Sequence, residues 1–207
     1  MAAHDVAYLC DAANRYFRER VEPSDVIRTI SGANLAMDPA SRRAARDGAM
    51  RFEARRGRAP LLTIFGGDVT TARLRAERAV SKLTPFYPMS ARWTAKAPLP
   101  GGEFAWDRFD NEVDEVRERW RFLGEDQARR LVAAYGSNAK VILGEAKERS
   151  ELGPAFGPEL TGAEVRYLMS REWARFPDDI LWRRTKLGLT MPVSDREALA
   201  AFMATPV

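Results

Sequence analysis

APLLTIFGGDVTTARLRAERAVSKL, residues 59–83, is the stretch whose reading decides the fold. Leu61 to Phe65, after Pro60, form a continuous apolar run of strand length, the pattern of a strand buried on both faces. Gly66 and Gly67 break the run. From Ala72 the period changes from two to about 3.6, with Ala72, Ala76, Ala79, Val80 and Leu83 on one stripe, so a strand, a glycine turn and a helix follow one another. A strand buried on both faces implies neighbours. Two short upstream candidates are Val26–Ile30 and Ala49–Glu53, the second alternating around Met50 and Phe52. Before them, Val6, Leu9, Cys10, Ala13 and Phe17 recur at helical spacing, and Glu22-Pro23 punctuates the end of that helix.

Downstream, Pro85 to Gly102 is rich in proline, aromatic and small residues, as suits a linker packed along a surface, and a boundary is expected near residue 103. Beyond it the periodic segments are helical. Phe109, Val113, Val116, Trp120 and Leu123 are spaced 4, 3, 4 and 3 apart, and Leu131, Val132 and Tyr135 form the next face. Thr161 with Glu164, and Ser194 with Glu197, have the S/T-x-x-E form of a capping box. Pro177 followed by Asp178 and Asp179 fits a helical first turn. The expected class is therefore α+β: a mixed part, residues 1–102, followed by an all-helical domain of five or six short helices, residues 103–207.

The 207 residues are 45% hydrophobic and 30% charged, an ordinary globular composition that excludes collagen-like, low-complexity and disordered classes. The most apolar charge-free stretch, Ala59 to Gly67, is far short of the ~20 residues that cross a bilayer. One cysteine, Cys10, forbids an internal disulfide and any CxxC motif. One histidine, His4, forbids His-rich metal sites and most Ser-His or Cys-His machinery. Net charge is +4, and 28 of the 33 basic residues are arginine, interspersed with 29 acids. Without aromatic-basic interleaving or a recognition module, a solvated, salt-bridged surface is favoured over nucleic-acid binding.

The turn Gly66, Gly67, Asp68, Val69, Thr70, Thr71 is the one place where the backbone is shaped for a ligand. Two glycines permit close approach, and the helix that follows aims N–H groups and partial positive charge at an acceptor. Spacing alone favours plain turn-and-cap chemistry by about three to one, and neither GxGxxG nor GxxxxGK[ST] is present. The pairs Asp178-Asp179 and Glu112 with Glu115 read as wet helix faces rather than acid-base pairs. Cys10 reads as core, and Trp106, Trp120, Trp173 and Trp182 read as helix packing.

Taken in order, APLLTIFGG (59–67), VTT (69–71), KLTPFY (82–87), WT (93–94), LPGG (99–102), YGSN (135–138), LG (143–144), EW (172–173) and WRRTKLG (182–188) resemble the C-terminal part of FAD-dependent, quinone-linked glycerol-3-phosphate dehydrogenases. The resemblance covers essentially the whole chain. It implies that residues 1–102 are the last pieces of the substrate and FAD domains and that 103–207 are the helical C-terminal cap domain. It also implies an oxidoreductase that takes sn-glycerol 3-phosphate to dihydroxyacetone phosphate via FAD, with electrons passing to quinone. The implied location is the cytoplasm, with a peripheral contact at the cytoplasmic face of the membrane.

In the family the glycine turn lies against the flavin ring, so Gly66, Gly67, Asp68, Val69, Thr70 and Thr71 are the implied cofactor contacts. The family's lysine in this turn is Asp68 here, and its Tyr-Arg after the threonine pair is Ala72-Arg73. At the position of the arginine that holds substrate phosphate stands Asn34, which cannot make a bidentate charge-assisted contact. Aromatic positions just before it are Arg28 and Ile30, and the family's Thr-Arg-Asp-Tyr reads Ala45 to Gly48. The implied partners are an N-terminal FAD-binding half or a full-length dehydrogenase, and this chain alone is expected to be catalytically incomplete. The alternative is a non-catalytic helical interaction module.

Overall fold

The computed structural model describes residues 2–32 and 49–205. They divide into two compact units, Met1–Ala97 and Pro98–Val207.

In the first unit, helix α1 (Ala3–Ala13) forms on the expected stripe and buries Cys10. Phe17 lies beyond its end and is exposed. Strands β1 (Ala49–Glu53) and β2 (Leu61–Phe65) pair antiparallel, with Ala49 opposite Phe65 and Phe52 opposite Leu62. Two sequence expectations fail here for one physical reason. Val26–Ile30 is not a strand: it has no ladder partner among the described residues, and Val26, Ile27 and Ile30 are exposed. Nor is β2 buried on both faces, since Leu61 is 58% and Ile64 47% exposed. A two-stranded ribbon leaves each strand one unpaired edge and too little cover for both faces.

After β2, Gly66 (φ +56°) and Gly67 (φ +104°) reverse the chain in conformations that favour glycine, and one 3-10 turn leads into α2 (Ala72–Leu83). Ala79 alone of the α2 stripe is buried; Ala76 and Val80 face solvent. The segment after α2 returns along it. Thr94 Oγ1 donates to Glu77 Oε1 at 2.5 Å, and Arg92 Nη2 donates to Ser81 Oγ at 3.0 Å.

The second unit contains the large core. Helices α3 (Phe109–Arg119), α4 (Glu125–Tyr135) and α5 (Ala139–Leu143) turn their expected faces inward, with Val116, Trp120, Leu131 and Val132 at most 2% exposed. A two-residue hairpin, β3 (Ala155–Phe156) with β4 (Leu160–Thr161), interrupts the otherwise helical unit before α6 (Gly162–Arg171). Six π-helical residues follow at Asp179–Arg184, then α7 (Val193–Ala204).

Thr161 caps α6 as its spacing predicts, accepting from Glu164 N–H at 3.4 Å. The Glu164 side chain does not close the box; it turns inward to Arg130. The Ser194 box is not formed either, because α7 starts two residues earlier than a Ser194 cap would set it, with Pro192 at its N-cap. Pro177 does open a helical turn, whose start Asp179 stabilises by accepting from the N–H groups of Arg175 and Phe176 at 2.9 and 3.0 Å. These two bonds hold the Asp179 carboxyl below the usual carboxylate range, Arg183 and Arg184 adding to the effect. The tryptophans split. Trp120 and Trp182 are core, whereas Trp106 and Trp173 are exposed.

Candidate functional site

The glycine turn is assembled as the sequence suggests, between the end of β2 and the start of α2. Asp68 Oδ1 accepts from Thr70 N–H at 3.1 Å, and Thr71 Oγ1 donates to the Asp68 carbonyl at 3.2 Å, so the Asp68 carboxylate is engaged at the helix start. The Val69 side chain is 84% exposed. One participant escapes sequence reasoning. The guanidinium of Arg75 lies on Gly67, where a Cβ would fall 1.3 Å from Arg75 Nη1. That nitrogen is buried and has no hydrogen-bond acceptor among the described residues. Helix geometry puts Arg75 one turn beyond Thr71, and the tertiary fold brings its side chain back over the turn.

Buried charged donors are ordinarily satisfied, and among the described residues this guanidinium N–H is not. A cavity of about 40 Å³ lined by Thr71, Leu74, Arg75 and Arg78 adjoins it, room for a water or two and far too small for a ring system. Asn34, the other sequence-derived site residue, lies outside the described residues, as do residues 45–48.

In the helical unit two of the quoted motifs meet. Ser137 N–H donates to the Gly101 carbonyl at 2.9 Å, and at Gly136 (φ +56°) a Cβ would fall 1.8 Å from that same oxygen. LPGG and YGSN thus form one backbone-to-backbone contact. Glu103 locks it: its Oε1 accepts from Gly101 N–H at 3.1 Å and its Oε2 from Ser137 Oγ. The Ser137 bond comes first among the causes that hold the Glu103 carboxyl below its usual range.

Above this contact a cavity of about 330 Å³ is lined by Phe104, Phe109, Val132, Tyr135, Tyr167 and Glu172, among others. It is an aromatic recess with one carboxylate. Burial pushes the Tyr167 phenol up, with the Glu172 charge adding to it. The WRRTKLG motif packs on itself: a Cβ at Gly188 would meet the Trp182 ring at 2.6 Å, and Lys186 Nζ donates to the Trp182 carbonyl.

Residues 92–205 match the family model described as the C-terminal domain of alpha-glycerophosphate oxidase. Over 203 residues the chain is 37% identical to an aerobic glycerol-3-phosphate dehydrogenase of Escherichia coli, covering 96% of this chain and 40% of that protein. It is 33% identical over 207 residues to a glycerol-3-phosphate dehydrogenase of Pseudomonas aeruginosa, covering 98% and 40%. A D-erythritol 1-phosphate dehydrogenase of Brucella abortus is 36% identical over 198 residues, covering 94% and 39%. The chain spans about two fifths of the length of these relatives, corresponding to their C-terminal part. With more than half of its residues matched and the matched motifs in mutual contact, this chain belongs to the alpha-glycerophosphate oxidase C-terminal domain family.

Proposed function

We propose that the chain works as the C-terminal part of an FAD-dependent dehydrogenase that oxidises sn-glycerol 3-phosphate at C2 to dihydroxyacetone phosphate and passes electrons to quinone. The observation that carries this reading is the Gly66–Thr71 turn, with bare glycines, a helix start and the unpaired donor of Arg75 on one surface. FAD, when bound, supplies the hydride acceptor. The chain's own part is to present backbone at Gly66 and Gly67, to keep the Asp68 carboxylate turned to Thr70, and to offer the Arg75 guanidinium to an electron-rich ring edge. That guanidinium offsets the loss of the family's lysine at Asp68. Asn34 stands where substrate phosphate is held, so phosphate binding rests on other residues. The erythritol-phosphate relative makes a four-carbon polyol phosphate the competing substrate.

The same reading makes the 207 residues catalytically incomplete alone, working with an N-terminal FAD-binding portion in the cytoplasm or at its membrane face. Purified alone, the chain is expected to show no bound flavin and no dye-linked oxidation of either polyol phosphate. Near-stoichiometric flavin absorbance would overturn the incompleteness. If flavin is retained only when the non-matching portion of the Escherichia coli relative is supplied, the reading holds. A second reading, a non-catalytic interaction module, draws on the closed core of the helical unit; it predicts partner binding with no flavin under either condition.

A further inference from the structure

The loop after α6 carries two aromatic side chains for which the unit has no internal use. Trp173 sits at φ +58°, in the left-handed region. The Leu168 carbonyl accepts from both Glu172 N–H (3.1 Å) and Ala174 N–H (3.0 Å), a helix ending whose reversing residue is ordinarily glycine or asparagine. A tryptophan there strains the backbone, and its ring gains no burial in exchange, being 80% exposed. Phe176, three residues on, is 68% exposed. The loop is nonetheless held firmly from both sides. Asp179 accepts from the N–H groups of Arg175 and Phe176, and Arg184 donates to the Glu172 carbonyl. Arg171 and Arg175 flank the aromatics and form no ion pair among the described residues. Rigid, exposed tryptophan and arginine are the residue types that anchor protein interfaces.

We propose that Trp173 and Phe176 are the anchors by which the helical unit docks onto the preceding portion of a dehydrogenase of this family, into an apolar recess rimmed by carboxylates that meet Arg171 and Arg175. This rests on the reading given under Proposed function. The occupant follows from length: the matched relatives carry about three fifths of their chain outside the part this protein matches, and that portion is the partner a C-terminal unit has at hand. Glu172 also lines the aromatic cavity, so docking at Trp173 covers a neighbouring recess as well.

The test uses the full 207-residue chain and, as probe, the non-matching portion of the Escherichia coli relative, with affinity read by calorimetry and stability by thermal melting. The wild type is expected to bind, Trp173→Gly to weaken binding at least 100-fold with an unchanged or higher Tm, and Phe176→Ser to weaken it at least tenfold. If both variants bind like the wild type, the docking surface is overturned while the C-terminal-part reading stands. If the wild type does not bind, that reading falls and the docking surface with it. A Tm lowered by several degrees in Trp173→Gly assigns the ring to the fold and overturns the proposal. So does Trp173-dependent association with phosphatidylglycerol vesicles, or with a second copy, in place of the probe.

Discussion

Gly136 has no room for a side chain and no ordinary backbone conformation to offer one. At φ +56° an L-residue costs about 1–2 kcal/mol, and the Gly101 carbonyl 1.8 Å from its Cβ position is backbone that cannot swing aside. Gly136→Ala is therefore expected to lower the stability of the helical unit by at least about 2 kcal/mol, read as a lower denaturant midpoint at unchanged m-value. An unchanged midpoint would mean that the LPGG segment peels away freely. Gly67 is a different case, although its Cβ position is even more crowded. The obstructing atoms belong to the far end of Arg75, which can move, so at Gly67 it is the backbone conformation, φ +104°, rather than the crowding that calls for glycine.

Helices α4 and α6 are joined by a polar contact set in an apolar core. Glu164, 1% exposed on α6, receives Arg130 Nη1 and Nη2 at 2.8 and 2.7 Å and the Tyr135 hydroxyl at 2.7 Å, all from α4. Burial resists the charge on Arg130, but the hydrogen bonds and charge of Glu164 outweigh it and raise the guanidinium above its usual range. Burial, with the Glu164 carboxylate, pushes the Tyr135 phenol up as well, so it stays a hydrogen-bond donor at any working pH. Arg130→Met should destabilise the unit by about 3–5 kcal/mol, because it strands a buried carboxylate, while adding Glu164→Leu should recover most of the loss. Equal melting curves for wild type and the single variant would show the pair to be solvated. The capping-box pattern at Thr161 and Glu164 reads correctly as a helix start. It misleads about Glu164, since a local spacing rule cannot see a guanidinium 34 residues away.

At the scale of the molecule the two units have unequal means of holding themselves together. Residues 98–207 close their hydrogen bonds locally and bury a shared core, so a fragment starting at Pro98, which keeps the Gly101–Gly136 contact, is expected to melt cooperatively as a helical protein. Residues 1–97 are expected not to, because among the described residues β1 and β2 pair only with each other and leave Leu61 and Ile64 exposed. Circular dichroism melts of the two fragments check this; a sharp transition in the shorter one would reverse the assignment. The amino-acid sequence by itself determined the elements whose signals are local. These are the apolar periods of α1 to α4, the strand-to-helix change at Gly66-Gly67, the cap at Thr161 and the proline turn at 177. It also determined the family, because motif order survives in one dimension. Tertiary structure alone decided which apolar runs are covered. Val26–Ile30 and Leu61–Phe65 carry the composition of buried strands, but burial requires a neighbour, and composition does not say whether one is present. It alone decided, too, that Arg75 returns to Gly67, that Glu164 turns to Arg130, and that of two similar tryptophans Trp182 lies on Gly188 while Trp173 faces outward. Each of these depends on a contact between residues whose separation along the chain carries no periodic signal.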